Sequence, residues 1–134
     1  QLKATIESQD NAAVEYHGSV SPAELAPILP KFSYSLIPLT VQIHGAVPSK
    51  LFDSVSRGVP VIFMGGGEGA RIVKEHGLGF YVEPGDFRGL NEVLANINEA
   101  LYKSHYDNCM DYTHGHLSFD NQFDRLLSHL SLKP

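Results

Sequence analysis

Val47-Pro48-Ser49-Lys50-Leu51-Phe52-Asp53-Ser54-Val55-Ser56-Arg57-Gly58-Val59-Pro60-Val61-Ile62-Phe63 reads as a short helix running straight into a buried strand. Pro48 and Ser49 are start signals for a helix. Leu51, Phe52 and Val55 supply its apolar face, and Gly58 fits its C-terminal stop. Pro60 then opens a strand of β-branched residues. Ser49 and Asp53 stand four apart, so they share a helix face that is not the one carrying most of the apolar residues. A hydroxyl, free backbone N–H groups and a carboxylate therefore meet in one place. A phosphate suits such a helix start, and a diol suits the carboxylate one turn on. The plainer reading makes Pro48-Ser49 a simple cap and Asp53 a solvated residue.

The same alternation extends in both directions. Ala13-Val14-Glu15-Tyr16-His17 is a short strand candidate ending at Gly18. Ser21-Pro22-Ala23-Glu24 is a capping box that starts a helix with Leu25, Ile28 and Leu29, which Pro27 and Pro30 keep short or irregular. Tyr34 to Leu39 is a second strand, with a loop from Thr40 to Val47 before the central helix and the strand Val59 to Met64. Gly65-Gly66-Gly67-Glu68-Gly69 reads as a flexible turn, and Ala70 to His76 as a helix with Ile72 and Val73 inward. Leu78 to Val82 is a fourth strand. Asp86 caps a helix from Phe87 to Tyr102, with Leu90, Val93, Leu94, Ile97 and Leu101 at helical spacing. The tail from Ser104 is more polar, and Ser118 caps a final helix over about 118–130. Strand and helix alternate four times, which predicts an α/β fold with a parallel, Rossmann-like sheet and flanking helices. Its ligands belong at the carboxyl ends of the strands.

The 134 residues suffice for one domain with a core. Apolar residues at 43% and charged residues at 19% are ordinary for a globular protein. A formal charge of −5 gives no electrostatic case for nucleic acid as a partner. The single cysteine, Cys109, excludes an intramolecular disulfide and fits a reducing, cytoplasmic location. No apolar run reaches the roughly 20 residues that span a bilayer. Gln1 is no initiator, and Gln1 to Ile6 reads as the end of a helix already under way, so a truncated domain is expected.

Three further features compete for chemistry. Gly65, Gly67 and Ala70 satisfy the GxGxxA pattern between strand and helix, and Glu83 lies near where a ribose-binding acid belongs. That pattern describes a dinucleotide site, though the following helix is short and the motif comes third in the chain. A plain flexible loop explains it as well. Lys50 either points to solvent or offsets the charge of a bound diphosphate. The seven histidines include one close pair, His114-Gly115-His116, which lacks the cysteines or turn-spaced carboxylates of a metal site. No metal or cofactor is expected. Cys109 has no motif around it and reads as an ordinary packed or partly exposed thiol.

Four stretches together resemble the carboxyl-terminal, donor-nucleotide domain of GT-B glycosyltransferases of family 4, over roughly residues 13–100. These are Val14 to Val20, Tyr34 to Leu39, Pro48 to Ile62, and Gly66 to Asp86, in the family's order. The resemblance is nearest to bacterial enzymes of cell-surface polysaccharide biosynthesis. It implies a nucleoside-diphosphate sugar as donor and a hexose or aminosugar transferred to a glycan or lipid-linked acceptor. Backbone N–H groups in the stretch from Val47 to Lys50 would meet the diphosphate, those of Val47, Ser49 and Lys50 as donors and Pro48 only bordering it. Gly18, Ser19, Val20 and Ser21 would border the base. Asp53 stands where the family's ribose-holding glutamate does, one methylene shorter. The family's other glutamate falls on Gly45, which leaves the sugar side bare. The family's basic pair for the phosphates and its amino-terminal acceptor domain would lie upstream of Gln1. The chain alone is therefore expected to be inactive, with its final helix similar to the one that crosses back to the other domain. Peripheral membrane association of the whole enzyme stays open. The alternatives are an NAD-type domain of an oxidoreductase, a non-catalytic α/β interaction domain and a sugar-nucleotide epimerase of the same fold.

Overall fold

The computed structural model describes residues 14–39 and 45–130. Its centre is a three-stranded parallel sheet of β1 (Ser35–Pro38), β2 (Val61–Met64) and β3 (Gly79–Val82), in spatial order β1-β2-β3. Ser35 stands opposite Val61, and Val61 opposite Gly79. The central strand is buried at every residue, as a run of Val-Ile-Phe-Met with no polar alternation requires.

Two helices make the crossovers. α2 (Ser49–Val55) joins β1 to β2, and α3 (Gly67–His76) joins β2 to β3. Both lie on one face, as right-handed connections between successive neighbours demand. Leu51 and Val55 of α2 and Ala70 and Val73 of α3 pack there on Ile37, Val61 and Phe63. α4 (Phe87–Asn96) covers the opposite face, where Leu90, Val93 and Ile97 pack on Ile62, Met64 and Val82. α5 (Glu99–Tyr112) returns to the first face and buries Cys109 and Tyr112 in its core. The result is the expected α/β layering.

The expected helix from Phe87 to Tyr102 is two helices. Ile97 is extended, with φ −60° and ψ 130°, and Asn98 caps α5 by accepting the Leu101 N–H at 3.0 Å. The cap competes with continuation of the helix, and it turns Leu94 and Leu101 out to solvent at 52% and 36% exposure. Residues 104–112, expected to begin a polar tail, are instead helical and contribute to the core. The strand expected at Ala13 to His17 is not formed at Val14 to His17, and Ala13 lies outside the described residues. Val14 and Tyr16 remain 46% exposed. Among the described residues no strand pairs with them, and a lone extended segment has nothing to satisfy its backbone.

The capping box is present. Ser21 Oγ accepts the Glu24 N–H at 3.3 Å, and Glu24 Oε2 accepts the Ser21 N–H at 2.8 Å. It starts α1 (Pro22–Leu25), which ends after four residues and is followed by a 3-10 turn at Leu29–Lys31. The glycine run is only partly a turn, because α3 already begins at Gly67. A π-helical turn (Thr113–Leu117) leads to α6 (Phe119–His129). Ser118 holds the N-cap position of α6 without a side-chain bond.

Candidate functional site

The carboxyl ends of the strands are Pro38, Met64 and Val82, so α2 starts on the side of the sheet where ligands of parallel sheets collect. Pro48 is the N-cap of α2 and Ser49 its first residue. Leu51, Ser54 and Val55 anchor the helix inward, which leaves Ser49, Lys50 and Asp53 exposed. Lys50 and Asp53 share a cleft of about 220 Å³ with Ser54, and Leu25, Leu29 and Leu36 form its apolar wall. Ser49 does not line it. Lys50, rather than Ser49, is thus the polar residue of this helix start that lines the cleft together with Asp53.

Asp53 has a neighbour that sequence reasoning missed. Arg57, one turn on, brings Nη1 to 3.7 Å from Asp53 Oδ1 and donates to the Asp53 carbonyl at 2.6 Å. The i,i+4 spacing was the available signal. The side chain of Asp53 stays 50% exposed, so the pair is solvent-screened and leaves carboxylate lone pairs for a ligand.

Gly18 and Ser19 are exposed, Val20 is half-buried and Ser21 is exposed. The Ser21 hydroxyl is already engaged with Glu24. Its bonds hold the Glu24 carboxyl below the usual carboxylate range, the Ser21 backbone N–H contributing most. Among the described residues, no hydrogen bond or ion pair joins residues 18–21 to residues 48–53. Leu25 of α1, four residues past Ser21, is the nearest link, since it lines the cleft of Lys50 and Asp53. Gly45 is exposed, with open space around its α-carbon.

The glycine run has a packing explanation. A methyl at Gly65 would meet Leu39 at 2.9 Å, and one at Gly69 would meet the Phe63 ring at 2.6 Å. Gly69 thus lets α3 approach β2 closely, and Gly65 lets the chain leaving β2 lie against Leu39. Glu68 sits in the first turn of α3, bonded to Arg71, and that hydrogen bond keeps its carboxyl below the usual range. An anion brought to this helix start would meet a fixed negative charge. Glu83 lies beyond the end of β3 and is exposed.

Among the described residues, no three His, Cys, Asp or Glu side chains converge as a metal site. His116 is stacked on Tyr112, with ring centroids 4.5 Å apart, and stands edge-on to His76 at 4.9 Å. His114 is exposed, and His44 lies outside the described residues. Cys109 is fully buried, its Sγ 3.7 Å from the Leu78 carbonyl, and burial pushes the thiol up to about 12. It is the packed thiol of the two expected forms. No described helix is long and apolar enough to cross a membrane. Comparison with protein-family models, curated proteins and solved structures yields no match to this chain.

Proposed function

We propose that this chain carries the donor-nucleotide half of a GT-B glycosyltransferase, binding a nucleoside-diphosphate sugar whose hexose or aminosugar passes to a glycan or lipid-linked acceptor. The observation that carries the reading is the single cleft shared by Lys50 and Asp53 beside the edge strand of a parallel sheet. An ammonium suits a phosphate oxygen, a half-exposed carboxylate accepts from a ribose diol, and the leucine wall suits the apolar faces of a nucleoside. Ser49 and the backbone of Pro48 would border the diphosphate, and residues 18–21 the base. At about 220 Å³ the cleft is smaller than the roughly 300 Å³ at which small-molecule pockets begin. That size fits half of a site whose other wall is a second domain. Catalysis would need that domain and further positive charge on the leaving diphosphate.

The test is titration of the isotope-labelled chain with UDP, GDP, their sugars and inorganic phosphate, read by amide shifts. Shifts at residues 45–53 and 18–21 are expected. Asp53→Ala should weaken a nucleoside diphosphate about tenfold while leaving inorganic phosphate unchanged, since a carboxylate–diol bond is worth about 1.5 kcal/mol. Equal loss for both ligands would refute the ribose role. Shifts confined to residues 65–70 and 83 on adding NADH would instead favour the dinucleotide reading.

A further inference from the structure

The geometry points to a second binding surface, a groove at the free edge of β3 built to accept an extended, lysine- or arginine-bearing peptide as an added strand. In a parallel ladder, a residue bonds to the two neighbours of the residue opposite it. Val61 stands opposite Gly79, and its N–H donates to the Leu78 carbonyl at 3.0 Å. The ladder to β2 therefore uses alternate residues, Leu78, Phe80 and Val82. The backbone groups of Gly79 and Tyr81 point to the open edge, where no described strand takes them.

A cavity of about 410 Å³ lies along this edge. Three consecutive strand residues, Phe80, Tyr81 and Val82, line it, so its wall is the strand's edge rather than one face. Its other side is the face of α4 bearing Gly89, Val93 and Asn96. A groove between an edge strand and a helix provides main-chain partners on one side and side-chain pockets on the other.

Charge selects the occupant. Phe80, Val82 and Val93 form an apolar floor, while Glu83, Asp86 and Glu92 put three carboxylates on the rim. One cation, Arg88, reaches Glu92 at 3.3 Å and is itself 90% exposed. Lys74 is held over the ring of Tyr81, with its Nζ 3.5 Å from the centroid. A second copy of this chain would bring a formal charge of −5 to the same rim, so a basic partner fits better than self-association.

The experiment titrates the labelled full chain with three capped pentapeptides, alternating valine with lysine, with arginine and with glutamate. Spermine serves as a small-cation control. The basic peptides should shift the amides of Gly79, Tyr81, Glu83, Gly89 and Val93 and slow amide exchange at Tyr81; the acidic peptide should do neither. Glu83→Lys with Glu92→Lys should weaken basic-peptide binding about fivefold or more, and raising the salt should do the same. Tyr81→Pro, which removes an edge N–H without touching the ladder, should abolish binding that Tyr81→Ala retains. If Tyr81→Pro fails to fold, Tyr81 amide protection in the parent chain decides the question. The proposal is overturned by no binding of any basic peptide, by equal binding of basic and acidic peptides, or by spermine reproducing the peptide shifts. Concentration-dependent dimerisation through the same amides would also overturn it.

Discussion

Replacing Gly79 by alanine should be the most damaging single-methyl change in the sheet. Gly79 has φ +141°, outside the regions that side chains adopt, and it lies directly against the central strand. A Cβ there would stand 1.9 Å from the Val61 carbonyl oxygen and 2.7 Å from its nitrogen, both backbone atoms. Carbon and oxygen in contact need about 3.3 Å, so β3 would have to retreat by ~1.4 Å. The Val61 N–H to Leu78 bond, now 3.0 Å, would then exceed hydrogen-bond range. Val61 is 0% exposed, so no water replaces what it loses. Leaving a buried backbone group unpaired costs about 1–3 kcal/mol, and the backbone conformation adds about 1–3 kcal/mol for a non-glycine residue. Gly79→Ala should therefore cost about 2–6 kcal/mol, a large part of the roughly 5–15 kcal/mol that holds a domain together. The assay is urea unfolding followed by circular dichroism. Gly85→Ala is the matched control, because Gly85 has φ +82° but open space around its α-carbon, so only a left-handed backbone cost of about 1–2 kcal/mol applies. Equal losses in the two variants would refute the register and the close approach of β3 to β2.

Cys109 should be inert while the chain is folded. With its thiol pushed to about 12 against an ordinary 9.0, its thiolate is about a thousandfold scarcer near neutral pH, and labelling with a thiol reagent should wait on unfolding. The raised value also means that the stability linked to this thiol is full below pH 9.0 and declines as pH rises toward 12; Cys109→Ala should flatten that decline in urea midpoints. His105 behaves in the opposite sense. Burial holds its imidazole below the ordinary 6.5, where it meets the Tyr34 hydroxyl at 3.0 Å, so its contribution is present above pH 6.5 and lost as pH falls through the folded value. His105→Gln should remove that part of the acid-side loss. Ser21→Ala should raise the Glu24 carboxyl part of the way toward its ordinary 4.5, read by side-chain carbon shifts against pH, because the hydroxyl bond is lost while the larger contribution, from the backbone N–H at position 21, remains. An unchanged titration would show that the hydroxyl bond of the capping box does not persist in solution.

The strands were legible where composition left no choice. Val61 to Met64 is apolar throughout, and only a strand buried on both faces accommodates such a run between a glycine stop and a glycine turn. The capping box at Ser21 and the cap at Asp86, which accepts the Gly89 N–H at 2.9 Å, were legible because each bond closes within three residues. α5 was hidden. Its buried side runs through Tyr102, His105, Cys109 and Tyr112, residues whose polarity is ambiguous and whose helical spacing shows only once a core is known to face them. The break before α5 had a local signal in Asn98, but the apolar spacing of Ile97 and Leu101 across it spoke for continuity. Ala13 to His17 alternates as a strand should, yet a strand needs a partner, and pairing is not a local property.

The site divides in the same way. Spacing along one helix placed Ser49 and Asp53 on a common face, because four residues make one turn. The cleft that instead joins Asp53 to Lys50 takes walls from α1, from the 3-10 turn and from β1, whose lining residues run from Leu25 to Ile37, more than a dozen positions earlier in the chain. The pairing of Asp53 with Arg57 was within reach of the sequence, since i,i+4 contacts are set by helix geometry alone. The open edge of β3 was not, because edge and centre are assigned by the strand order of the finished sheet. Local geometry thus determined the elements, their caps and the α/β alternation. Tertiary structure decided which strand lies in the middle, which polar side chains meet across elements and which backbone groups remain free, because each of these depends on contacts between segments distant in sequence.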